Sequence, residues 1–270
     1  MNDRSAFDRI AAALDRIAPP PRDDAVVEAP AYLWGESGLT PARFDPLPLA
    51  QLTGIDAQRD AVVENSRRLA AGHAAHDILL WGARGSGKSA LVKSCVAALQ
   101  KNDAALRLIE VSADRIAALP ALFAEIADWP QAVIIFIDDL AFDGQDQMAR
   151  TLRSVLEGGT NARPARARLY VTSNRRHIVA RDMAAQAGAI NPRDALDDGL
   201  ALADRFGLSL GFHACDQATY LAMVAVYADC HGFAFDPAEA LAWAAQRGAR
   251  SGRVAWHYAV ECAGRMGRSI

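Results

Sequence analysis

Cysteine, long apolar runs and an excess of one charge are all lacking in this chain, and each shortage removes a class of protein. Four cysteines occur in 270 residues (Cys95, Cys215, Cys230 and Cys262), with no CxxC pair, so a disulfide framework is not expected and reduced, mostly buried thiols are. His213, Cys215, Cys230 and His231 could be gathered into a zinc set, but their intervals match no standard ligand spacing. No apolar run nears the roughly 18 residues that span a bilayer. The opening segment MNDRSAFDRIAAALDRIAPPP mixes acids and arginines around no apolar signal core, so no export signal is expected and a cytoplasmic location is. A dominant charge is missing too: 29 Lys+Arg against 32 Asp+Glu leave a net charge of −3, which argues against a uniformly basic coat for nucleic acid. Low-complexity tracts and internal repeats are also absent. With 51% hydrophobic and 23% charged residues, the composition is that of an ordinary globular chain.

What is present is organised in three parts. Residues 1–50 offer a helix over 3–17 (Phe7, Ile10, Leu14 and Ile17 on one face), stopped by Pro19, Pro20 and Pro21. A proline-dotted stretch from Pro30 to Pro48 follows. It carries Tyr32, Trp34 and Phe44, and those aromatics favour an arm packed on the body over a free linker. Residues 51–212 alternate helices with short apolar runs: Ile78–Trp81, Leu106–Val111, Val133–Ile137, Leu169–Thr172 and Leu208–Phe212. Continuously apolar strands separated by helices predict an α/β fold with a parallel sheet covered on both faces. Residues 213–270 read as a small helical unit. Tyr220, Leu221, Val224 and Tyr227 share a face, Asp236-Pro237 opens a second helix, and Ser251 caps a third.

The strongest motif lies just after the first apolar run. Gly82-Ala83-Arg84-Gly85-Ser86-Gly87-Lys88-Ser89, followed by Ala90, satisfies GxxxxGK[ST] between a strand and a helix. Its glycines let successive N–H groups turn inward onto phosphate, and the helix beginning there adds its positive end. Lys88 would neutralise the β- and γ-phosphates, and the Ser89 hydroxyl would ligate Mg2+. A second element completes it. Val133-Ile134-Ile135-Phe136-Ile137 ends in Asp138-Asp139, delivering Asp138 to the magnesium shell and Asp139 to the attacking water as base or orienter. No NKxD element for guanine is found, so ATP is the expected nucleotide.

With these elements the chain resembles the AAA+ ATPases over residues 51–265. Thr172-Ser173-Asn174 is similar to their sensor 1 element, Asp204-Arg205-Phe206-Gly207 to the box VII arginine motif, and Arg253 in Ser251-Gly252-Arg253 to a sensor 2 arginine. The resemblance implies a P-loop core with a helical lid and an active homo-oligomer acting on a client it does not identify. Asn174 and Arg253 would read the γ-phosphate, and Arg205 would reach a neighbouring subunit's ATP. Arg250 competes with Arg253 for the sensor 2 role. LLWGARGSGKSALVK, IDDLAF, LEGG before ARP, TSNRRH and LADRFGLSLGF look like one bacterial group of AAA+-type proteins, a domain of unknown function. Two departures stand out. Asp139 replaces the superfamily's usual Glu, and residues 101–130 hold no aromatic–apolar–glycine pore loop, which points away from unfoldases and towards switch-like members.

From Arg150 to Arg176 seven arginines (150, 153, 163, 166, 168, 175 and 176) face one acid, Glu157. They read as a solvated surface, as phosphate-reaching groups at a subunit boundary, or as a track for a nucleic-acid backbone. Tyr170 is the lone aromatic among them, so base stacking lacks support. Three functions follow: an ATP hydrolase that drives a switch, an ATP/ADP-dependent binding module with little turnover, and a small-molecule P-loop kinase. The helical C-terminal unit disfavours the last.

Overall fold

Short apolar runs dictate most of the sheet, with β5 buried at every position, and the computed structural model shows where that leads. It describes residues 29–140, 147–157, 163–174 and 203–270. The sheet holds β1 (Ala31–Gly35), β2 (Gly38–Pro41), β3 (Ile78–Gly82), β4 (Leu106–Val111), β5 (Ala132–Ile137), β6 (Ala167–Ser173) and β7 (Leu208–Phe212), in the spatial order β2-β1-β4-β5-β6-β3-β7. Only β1–β2 is antiparallel. Along the central strands side chains alternate between the two faces. Leu79, Ile109, Ile135 and Val171 enter one core, while Ile78, Leu80, Ile134, Phe136 and Tyr170 enter the other.

The second of those faces is covered by α1 (Asp56–Ala70) and α2 (Lys88–Gln100), which contribute Val62, Leu69, Leu91 and Val92. The first carries a 3-10 segment (Ala113–Ala118), α3 (Leu119–Glu125) and α4 (Gln147–Leu156), with Ile116, Leu122, Phe123 and Leu152 buried. Three further helices, α5 (Gln217–His231), α6 (Pro237–Gln246) and α7 (Gly252–Arg265), form a lid with its own core of Tyr220, Val224, Tyr227, Tyr258 and Cys262. Each lid helix opens on a side-chain cap. Asp216 accepts from Thr219 N–H (2.7 Å), Asp236 from Ala238 N–H (2.9 Å) and Ser251 from Val254 N–H (3.3 Å).

The five strands expected from the sequence are all present. What the sequence does not predict is the hairpin β1–β2, in which the stretch carrying Tyr32 and Trp34 extends the sheet at its edge. Tyr32 is wholly buried and meets Trp129 edge-on at 5.3 Å, and β1 runs parallel to β4 with Tyr32 opposite Ile109. A division at residue 51 would cut this hairpin from the strand to which it is hydrogen-bonded. The helix expected over 3–17 lies outside the described residues.

Part of the arginine-rich stretch braces the sheet at the amino ends of its strands, away from the phosphate loop. Arg163 donates to both carboxylate oxygens of Asp77 (2.7 Å each), which also accepts Leu169 N–H (2.8 Å). Arg166 donates to Pro130 O (2.6 Å) and Arg168 to Ala75 O (2.7 Å). Arg175 and Arg176 lie outside the described residues. The zinc reading is not met among the described residues, where no cluster of metal-binding side chains forms. His213 packs on Trp81, His231 packs on Trp256, and Cys230 Sγ accepts from Gln51 Nε2. No helix in the described residues is long and apolar enough to cross a membrane.

Candidate nucleotide site

β3 runs out at Gly82, where the chain turns with φ 126°. A methyl group on Gly82 would stand 2.0 Å from Phe212 O, so β7 can lie against the loop only because this residue is glycine. The loop closes on Gly87, and α2 begins at Lys88. Lys88 is only 6% exposed. Its Nζ donates to Gly82 O (3.0 Å), Ala83 O (2.8 Å) and Asn174 Oδ1 (3.0 Å). Burial lowers its pKa, and the Asp139 and Asp138 carboxylates oppose that shift. The ammonium is thus held where the loop's backbone converges.

The alternation of strand side chains supplies the rest. Ile134 and Phe136 face α2, so Asp138, two residues further on, faces it as well. The same period carries Tyr170 to Thr172 and Asn174 on the adjacent strand. Ser89 Oγ, on the first turn of α2, donates to Asp138 Oδ1 at 2.6 Å. Thr172 Oγ1 donates to that same oxygen at 2.5 Å and accepts Asp139 N–H at 2.8 Å. Asp139 has φ 53°, a left-handed turn that Asp tolerates better than most residues. Asn174 Nδ2 donates to Asp139 Oδ1 while its oxygen accepts from Lys88. Hydroxyl and carboxylate oxygens side by side are the hard donors Mg2+ prefers, and Ser89 with Asp138 provides such a pair.

Above the loop lies the lid. Gly85 has φ 72°, and a methyl group there would meet Ser251 Oγ at 2.9 Å and Arg253 Cβ at 3.2 Å, so the phosphate loop touches the start of α7 directly. Between them is a cavity of about 580 Å³ lined by Arg84–Ala90, Asp138, Asp139, Thr172, Asn174 and Arg253. Its other wall is largely apolar, built from Leu47, Leu52, Ile55, Met223, Tyr227 and Trp256 with Gln51 and Thr53 among them. That volume and mixed lining suit a mid-sized ligand with one charged and one flat apolar part.

Most of the residues singled out in the sequence therefore meet at one place. Gly82 and Ala83 give their carbonyls to Lys88, and Arg84, Gly85, Ser86, Gly87, Ser89, Ala90, Asp138, Asp139, Asn174 and Arg253 line the cavity. Arg250 lines two neighbouring cavities instead. Arg205 is not in the cavity lining and is ion-paired with Glu157 through Nε at 2.6 Å. Sequence reasoning missed the apolar wall, drawn from residues 47–55 and from the lid, and it gave Thr172 no separate role. The period-2 pattern that placed Asp138 could have found Thr172. The wall leaves no local pattern.

A mostly parallel sheet with a glycine-rich loop at the carboxyl end of β3, an acidic pair after β5 and a three-helix unit beside it is the AAA+ type of fold. The chain belongs to the family described as protein of unknown function (DUF815), which it matches over residues 27–266. No curated protein matches it in sequence. Among solved structures it is similar to a RuvB variant of Thermotoga maritima (TM-score 0.52, 17% identity, 79% of this chain and 63% of that one). It is also similar to domain III of the replication initiation protein DnaA of Thermotoga maritima (0.53, 12%, 85% and 94%). A third likeness is to Orc1 of Aeropyrum pernix, solved with DNA (0.56, 16%, 81% and 65%). The chain spans about 63% of the length of the RuvB chain. At these identities the likeness is one of fold.

Proposed function

We propose that the chain binds Mg–ATP in the cavity between core and lid and hydrolyses it to ADP and phosphate, driving a conformational or assembly switch on a protein client. The observation that carries this reading is the convergence of Lys88, Ser89, Asp138, Asp139, Asn174 and Arg253, from four separate stretches of sequence, on one cavity. Lys88 and the loop N–H groups would hold the β- and γ-phosphates. Ser89 and Asp138 would hold Mg2+, which when bound neutralises phosphate charge and orients the transferred group. The fit rests on their 2.6 Å approach. Asp139 would align a water and take its proton on a carboxylate oxygen as that water attacks. Arg253 would meet the γ-phosphate from the lid, so that loss of phosphate loosens α7. Arg205 would serve the neighbouring subunit's site, giving a homo-oligomer as the active form.

One observation favours the second reading, a nucleotide-dependent binding module with little turnover. Asp139, already shorter than Glu by a methylene, has its carboxylate engaged by Asn174. Phosphate release measured against protein concentration separates the two. Turnover that rises faster than linearly and vanishes in Lys88→Ala and Arg205→Ala is expected of the assembled ATPase. ATP retention without turnover at any concentration would leave the binding module. Failure to retain ATP would overturn both.

A further inference from the structure

Lys88, Ser89, Asp138, Asp139, Asn174 and Arg253 all carry a proposed role; Thr172 lines the same cavity without one. It is 1% exposed, and burying a hydroxyl is favourable only when its bonds are made. Here they are. Its proton goes to Asp138 Oδ1 at 2.5 Å, and its lone pair takes Asp139 N–H at 2.8 Å. The same residue's backbone oxygen accepts Leu140 N–H at 2.8 Å. One side chain thus fixes the orientation of the first carboxylate and the backbone of the second.

The arrangement has a logic that Ser89 alone does not provide. Both Ser89 and Thr172 donate to Asp138 Oδ1. If the Ser89 hydroxyl turns its oxygen to a divalent cation, Asp138 loses one of its two donors and would be free to rotate. Thr172 comes from a different strand and is pinned by pairing with β3, where it lies opposite Leu80, so its donation continues. Its second bond holds the φ 53° turn at Asp139, a left-handed conformation that is unfavourable for most non-glycine residues. That turn sends the Asp139 carboxylate back to Asn174.

We infer that Thr172 is the positioning residue of this site, the buried hydroxyl that keeps Asp138 aimed at a divalent cation and holds Asp139 in the turn that places its carboxylate beside Asn174. The inference rests on the Mg–nucleotide reading above. A hydroxyl acting through the metal-binding carboxylate should behave as such second-layer partners do, at about 10–100-fold in metal affinity or activity.

The test titrates a fluorescent ADP analogue into the full chain with Mg2+ and with chelator, alongside steady-state ATP turnover and thermal melting. Wild type, Thr172→Val and Thr172→Ser are compared. In Thr172→Val, affinity in chelator is expected to stay within about threefold of wild type, while Mg2+ half-saturation rises and kcat falls by about 10–100-fold with KM nearly unchanged. Thr172→Ser, which keeps the donor and the acceptor, should restore both. A Thr172→Val protein that melts lower but keeps wild-type Mg2+ half-saturation would overturn the inference in favour of packing alone. So would a Ser variant as impaired as Val. Should Val fail to fold, Thr172→Ala is read in the same titration against the same expectations. Wild-type protein that binds no nucleotide would sink the proposed function, and this inference with it. Normal Mg–nucleotide binding with Thr172→Val unaffected would sink this inference alone.

Discussion

Gly82 and Gly85 sit three residues apart in the phosphate loop, yet a methyl group at each would meet a different obstacle. At Gly82 the obstacle is backbone, Phe212 O at 2.0 Å, and φ is 126°. Neither neighbour can swing aside without breaking β3–β7 pairing, so Gly82→Ala is expected to destabilise by about 3 kcal/mol or more, read by thermal unfolding. At Gly85 the obstacle is Ser251 Oγ on the lid. Gly85→Ala should cost only about 1–2 kcal/mol for its left-handed backbone. Its larger effect is on nucleotide affinity, because the start of α7 is pushed from the loop. The cysteines make a second contrast at this scale. Burial pushes the Cys95 thiol up to about 11, whereas Cys230 is exposed. A thiol-reactive disulfide reagent at pH 8 should label Cys230 first and leave Cys95 untouched until the protein unfolds, which mass spectrometry of the labelled peptides checks.

Among the elements, the β1–β2 hairpin and the brace under β3 carry separate predictions. Tyr32→Ala removes a fully buried ring from beneath the sheet edge and is expected to cost about 3–5 kcal/mol in denaturant unfolding. Arg163→Ala leaves Asp77, 10% exposed at its side chain, with one donor fewer. A loss of about 2 kcal/mol in stability is expected, with nucleotide affinity unchanged. These two features also mark where the sequence stopped being informative. β3 to β7 were legible because each is a short apolar run, and the loop and the Asp138-Asp139 pair were legible because their residues are contiguous. The hairpin was not legible. Its strands are five and four residues long, prolines surround them, and the partner of Ala31 is Leu108, far along the chain. Arg163, Arg166 and Arg168 read as a charged surface because nothing near them in sequence names Asp77, Pro130 or Ala75. The Thr172 and Asn174 contacts likewise join the end of β6 to residues just past β5 and at the start of α2. Only strand register brings those together.

Across the whole molecule, the cavity lies where the sheet's carboxyl ends meet a lid with its own core. A ligand there binds both parts only when they are folded and docked. Mg–ADP at 100 times its dissociation constant should therefore add about 2.7 kcal/mol to stability. The added stability should appear as a higher melting temperature in wild type and be absent in Lys88→Ala. Trp256 extends this to optics. It lies on the lid side of the cavity, edge-on to Tyr227 at 5.3 Å and to His231 at 5.8 Å. Of the other four tryptophans, Trp34 and Trp129 are buried in the sheet core and Trp243 lies under the Arg247 guanidinium. Trp81, next to the last residue of β3, has its ring nitrogen bonded to Ser209. An indole on the cavity wall gives the protein an intrinsic emission signal for occupancy, one that needs no attached dye. Its intensity should change with bound nucleotide in the wild type and stay flat in Trp256→Phe.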